Sequence, residues 1–208
     1  MILFCCENVK KSLILKKKIV LGSTSIYRAQ LLDRLGLDYA TARPGTDESP
    51  LAGETPAATA LRLAIAKAQS LSHKFQDALV IGADQVADQN GTAIGKPGSK
   101  KRAREQLQNM SGRILVFHSG LALLNTETGR VQSRVVDTTV RFRTLSRHEI
   151  ENYLGRENAL DCAGGAKAEA LGIALIASMQ SDDPTALIGL PLIALIDMLG
   201  AEGISVLA

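Results

Sequence analysis

The chain has no tryptophan, and aromatic residues make up only 3% of its 208 positions. A core must therefore close on aliphatic side chains, which a 46% hydrophobic content supplies. Cysteine is scarce as well: Cys5, Cys6 and Cys162 form an odd set with no Cys-x-x-Cys spacing. That excludes a disulfide framework and fits reduced thiols, so a cytoplasmic location is expected. The three histidines, His73, His118 and His148, lie far apart and make no zinc-ligand pattern. No run approaches the roughly 18 apolar residues of a membrane span, so no membrane association is expected. The net charge of +3 is too small and too scattered to make nucleic acid a main partner. Internal repeats and low-complexity segments are also lacking.

The first residues, MILFCCENVKKSLILKKK, hold short apolar pieces interrupted by Glu7 and Lys10-Lys11, with no small-residue cleavage site after them. Residues 1–17 are read as an extension outside the fold, and residues 18–208 as one domain.

The most informative stretch is Leu79–Pro97, LVIGADQVADQNGTAIGKP. It reads as a short strand over 78–81, then Asp84 and Gln85, then a turn through Asp88, Asn90 and Gly91. An acid at the end of a buried strand can face the crevice where ligands of α/β sheets sit. The Asn90-Gly91 return brings Lys96 back towards that acid. A carboxylate and an ammonium group held together in a cleft suit a metal-bound polyphosphate.

Upstream, Lys18 to Leu21 forms a strand, Ser23-Thr24-Ser25 a hydroxyl-rich turn, and a helix follows with Leu31, Leu32 and Leu35 on one face. Free N–H groups of a first helical turn and hydroxyls build an anion site, to which Arg28 adds a bidentate grip. The same hydroxyls serve equally well as helix caps. A second strand spans 38–42, and the loop after it carries Asp47-Glu48, oxygen ligands suited to Mg²⁺ or Mn²⁺. Thr55-Pro56 opens a helix whose stripe is Leu61, Ile65, Ala68 and Leu71. Lys67 falls beside that stripe, either snorkelling outwards or entering the cleft. Ser99 caps a basic helix ending near Met110. Strands over 114–124 and 131–143 form an antiparallel hairpin, Ser146 and Glu149 a capping box, and 172–178 a strand; Leu190-Pro191 opens a final helix with Leu192, Leu195, Ile196 and Leu199 in register, ended by Gly200. Interleaved strands and helices with that hairpin predict an α/β fold with a mixed sheet. Ser23, Ser25, Arg28, Asp47, Glu48, Lys67, Asp84, Gln85, Lys96, Lys167 and Glu169 thus fall on loops or element ends, a set able to hold a triphosphate and its metal and to hydrolyse it.

At these residues the sequence resembles the Maf family of nucleoside triphosphate pyrophosphatases. The S-x-S-P-R-R signature is Ser23-Thr24-Ser25-Ile26-Tyr27-Arg28, the acidic loop Asp47-Glu48, and the helix motif Lys67-Ala68. Gly82-Ala83-Asp84, Gly95-Lys96-Pro97 and Ser111-Gly112 match further motifs. Tyr27, the pair Asp84-Gln85, the segment Cys162 to Glu169 and Gly189-Leu190-Pro191-Leu192 are similar to the branch acting on 7-methyl-GTP. The resemblance implies a mixed, strongly twisted sheet flanked by helices, with two lobes around a central cleft as in inosine triphosphatases. It implies cleavage of 7-methyl-GTP to 7-methyl-GMP and pyrophosphate with a divalent cation. Asp84 would be the general base. Ser23, Ser25, Arg28, Lys67, Lys96 and Lys167 would bind phosphate, and Glu48 and Asp84 the metal. Tyr27, Gln85 and Glu169 would set specificity, Tyr27 by stacking on the cationic base. A homodimer is what the family suggests. Ile26 replaces the signature proline, and Ala166, Ala170 and Leu171 depart from the branch at the base pocket. The rivals are the same chemistry on dTTP, UTP or another modified nucleotide, and a non-catalytic nucleotide-binding regulator of cell division.

Overall fold

A computed structural model describes residues 17–49 and 51–207. The extension expected over 1–17 falls outside the described residues, apart from Lys17, whose ammonium pairs with Glu127 at 2.8 Å. The first strand, β1 (Lys18–Gly22), has Ile19 and Leu21 buried on one face and Val20 on the other. A strand covered on both sides belongs in the middle of a sheet. Helix α1 (Ile26–Asp33) leads to β2 (Tyr39–Thr41), and α2 (Pro56–Gln69) to β3 (Ala78–Gln89). Both β2 and β3 run parallel to β1. Then come β4 (Thr92–Ile94), α3 (Lys100–Met110), β5 (Ile114–Asn125) and β6 (Val131–Phe142). Helix α4 (Arg147–Arg156), β7 (Ile176–Ser181) and α5 (Leu192–Ala201) complete the order. The sheet reads β2-β1-β3-β5-β6-β7 with β4 paired to β3, parallel around β1 and antiparallel elsewhere. The expected mixed sheet is present.

Two expected elements differ. The strand predicted over 78–81 runs on to Gln89, because β5 pairs with it continuously from Leu79 to Asp88. Asp84 is therefore inside a strand, not at its tip. The strand predicted over 172–178 begins only at Ile176; Leu171–Leu175 forms a 3₁₀ turn folded tightly over the Lys167 backbone.

Residue alternation places the cores. Val20, Val80, Ala122 and Leu124 pack beneath α2 with Ala64, Ala68 and Leu71. On the opposite face Leu21, Ile81, Leu121 and Leu123 meet α1 and α5. Further along that face, Phe117, Val140 and Phe142 meet α3 and α4. Two separate apolar clusters on one face leave a cleft between them. Helix α2 sits hard on the sheet because Gly82 and Gly120 have no side chains: a Cβ there would lie 2.1 Å from the Ala64 carbonyl oxygen and 2.2 Å from that of Ala60.

Candidate active site

The cleft holds a cavity of about 740 Å³, within the range of small-molecule sites. It opens where the β1 ladder stops at Gly82 and that of β4 starts at Ala87. Asp84 lies in this interval, 8% exposed. Lys67, on the α2 face pressed against Gly82, donates from Nζ to Asp84 Oδ1 at 2.6 Å and to Glu48 Oε1 at 2.7 Å. The open choice for Lys67 is thus resolved towards the cleft. One ammonium between two carboxylates leaves the trio with a net negative charge, which a divalent cation would complement. The Glu48 carboxyl is held below its ordinary value, first by the Lys67 hydrogen bond and, against desolvation, by the charges of Lys67, Lys96 and Arg28. Asp47 instead turns into its own loop, accepting from the Ser49 N–H at 2.9 Å.

At the start of α1 the hydroxyls do both jobs the sequence allowed. Ser25 Oγ accepts from the Arg28 N–H at 3.4 Å as a cap, while Ser23 Oγ accepts from the Ser25 N–H at 3.1 Å. Both serines line the cavity. Arg28 Nε donates to the Gly189 carbonyl at 2.8 Å, and Nη1 reaches Ser23 Oγ at 3.4 Å. These bonds fix the plane of the guanidinium. Burial lowers the Arg28 pKa, opposed by Asp84 and Glu48, yet guanidinium stays charged in proteins. Lys96 lines the cavity beyond β4. Ser23, Ser25, Arg28, Glu48, Lys67, Asp84 and Lys96 therefore share one end of one cavity.

The other end is apolar, walled by Phe117, Val140, Phe142 and Ile176, with Ala166, Ala168 and Leu187 packed against them. Tyr27 and Gln85 line the cavity between, and Glu169 and Asp161 stand at its rim. Gln85 Nε2 donates to Ser119 Oγ at 3.0 Å, Ala186 O at 3.0 Å and Leu187 O at 2.9 Å. Two carbonyls at that end of the amide identify it as the nitrogen. Lys167 does not line the cavity. Its ammonium sits 5.5 Å from the centroid of the Tyr27 ring, 3.6 Å from Glu157 and 3.9 Å from Asp161, and its pKa is raised, first by the Tyr27 hydroxyl. The Tyr27 ring thus already has one cation beside it, near its hydroxyl. Cys162 lines the cavity as a neutral thiol, pushed up to about 12 by burial.

Sequence reasoning passed over Ser119, Phe117, Phe142 and the segment 183–188. A serine inside the apolar run of β5 was the one available signal; the phenylalanines looked like ordinary core.

Residues 18–202 match the family model described as Maf-like protein. A 7-methyl-GTP pyrophosphatase of Thiobacillus denitrificans is 55% identical over 189 residues, covering 91% of this chain and 94% of the relative. The 7-methyl-GTP pyrophosphatase of Chromobacterium violaceum is 55% identical over 190 residues, covering 91% and 98%. Among solved structures, the Staphylococcus aureus Ham1 protein overlaps partially, with a TM-score of 0.45, 18% identity, and coverage of 62% of this chain and 73% of that one.

Proposed function

The chain belongs to the Maf family, and from that premise we propose that it hydrolyses 7-methyl-GTP to 7-methyl-GMP and pyrophosphate. The observation that carries the reading is the cavity itself: charged and hydroxyl groups at one end, aromatic and aliphatic walls at the other. A triphosphate suits the first and a purine the second. Arg28, Lys96 and the Ser23–Ser25 turn bind phosphate oxygens. Lys67 holds Asp84 Oδ1, leaving the second carboxylate oxygen to take a proton from water. That water attacks the α-phosphorus, forming a new P–O bond while the bond to the β-phosphate bridging oxygen breaks. Pyrophosphate leaves with the bonding pair.

The residues fit a divalent cation, since Asp84 and Glu48 flank one ammonium and the trio keeps a net negative charge. Those two carboxylates would hold Mg²⁺ or Mn²⁺, which would neutralise phosphate charge. At the base end, Glu169 and Asp161 complement the positive charge of a methylated guanine. With Nε2 committed, Gln85 offers a base its amide oxygen, an acceptor for N–H donors. Pyrophosphate release across 7-methyl-GTP, GTP, dTTP and UTP tests the proposal. The highest kcat/KM is expected on 7-methyl-GTP; turnover of dTTP or UTP alone, or of none, overturns it.

A further inference from the structure

Asp183 is 2% exposed and lies outside the cavity, and the chemistry above does not use it. Its carboxylate accepts from the Thr185 N–H at 2.9 Å, the Thr185 hydroxyl at 2.6 Å and the Ile193 N–H at 2.7 Å. Thr185 Oγ1 in turn accepts from the Leu192 N–H at 2.9 Å and lies 2.9 Å from the Leu190 carbonyl. The first N–H groups of α5 thus find their partners in a segment seven and ten residues upstream, and Pro191 at the helix start offers no side-chain cap. The bonds close residues 183–193 into a loop pinned at both ends.

Three carbonyls of that loop face the site. Gly189 O takes Arg28 Nε, while Ala186 O takes the Ser119 hydroxyl at 2.7 Å and, with Leu187 O, Gln85 Nε2. Gly189 has φ +116°, and a Cβ there would lie 3.3 Å from Arg28 Nε, so glycine is required for this approach. One loop therefore orients a side chain at the phosphate end and another on the way to the base end. We propose that Asp183 is a positioning residue that, through this loop, sets the phosphate grip of Arg28 and the base contact of Gln85 together. Only the base half of this inference rests on the proposed activity.

Asp183→Asn tests it, because three donors then face one carbonyl oxygen and an NH₂ group. Binding of inorganic tripolyphosphate by calorimetry reports the Arg28 end and needs no turnover. The ratio of kcat/KM on 7-methyl-GTP to that on UTP reports the base end. Both should fall on the order of tenfold, the loss expected when a charge-assisted hydrogen bond goes. Thr185→Val, which keeps the carboxylate but removes its hydroxyl partner, should shift both in the same sense, and Thr185→Ser should restore them. A merely structural role lowers the active fraction while leaving affinity and ratio as in the wild type. That result in any folded Asp183 or Thr185 variant overturns the proposal, as does a change at one end only. Should the wild type turn over neither nucleotide, the proposed function falls and the base half with it; unchanged tripolyphosphate affinity then removes the other half.

Discussion

Lys67 is 6% exposed, yet its ammonium is among the most engaged groups of the site, bonded to Glu48 and Asp84, two of the carboxylates that line the cavity. Helical periodicity put it beside an apolar stripe and could go no further. What decided its direction was how closely α2 approaches the sheet, and that distance depends on glycines far along the chain. Asp84 was legible from its motif, and its role gives a direct expectation. Asp84→Asn keeps the volume and one acceptor for Lys67 but cannot take a proton from water. Pyrophosphate release should drop by a factor of about 10² to 10⁴, with an unchanged circular dichroism spectrum; near-normal turnover would remove Asp84 from the chemistry. Lys167 shows the opposite limit. The family resemblance implied a phosphate role for it, whereas the fold sets its ammonium beside Tyr27, Glu157 and Asp161.

Helix starts were the boundaries read most reliably. The caps at Ser25, Thr55, Ser99 and Ser146 all stand where the residue types placed them. The end of β3 was misjudged because Gly82, Asp84, Gln85 and Asp88 have turn-like chemistry, and pairing with β5 overrides it. Gly82 is the element-scale position to test. Gly82→Ala drives a methyl into the Ala64 carbonyl and the Ala68 N–H, so α2 must lift and Lys67 must withdraw. Both a lower Tm and a loss of turnover should follow, where a surface alanine would change neither. At the other end of the same helix, Arg62 Nε and Nη2 grip Glu54 at 2.7 and 2.8 Å. The Glu54 carboxyl is held at about 2, first by those bonds, against an ordinary 4.5. A group more acidic when folded adds stability above its unfolded value and loses it as acid protonates the folded state. The Tm difference between wild type and Glu54→Gln should therefore be constant at neutral pH, narrow below 4.5 and close near 2. A difference that persisted in acid would mean the pair contributes through shape alone.

At the scale of the molecule, the mixed sheet was legible from a single hairpin, since 114–143 could only pair antiparallel. The apolar end of the cavity was not, because Phe117, Phe142 and Ile176 come from three different strands and meet only in the folded chain. The two clusters on that face are tied by shared strands. β3 gives Leu79 and Ile81 to one and Ala87 to the other; β5 gives Leu121 and Leu123 to one and Leu115 and Phe117 to the other. Strands common to both should make unfolding one event. Urea curves followed by tyrosine emission, with Tyr39 packed against one cluster and Tyr153 buried in the other, should superimpose on those from circular dichroism. Two separated steps would mean the clusters are independent.

The interval in the β3 ladder has one more consequence. From Ala83 to Val86 that edge has no strand beside it among the described residues, so peptide N–H and C=O groups there are offered to whatever enters. Such contacts survive any replacement but proline, and alanine scanning will pass over them. Their share of recognition would emerge only from altering the main chain itself, by amide-to-ester exchange in a semisynthetic protein.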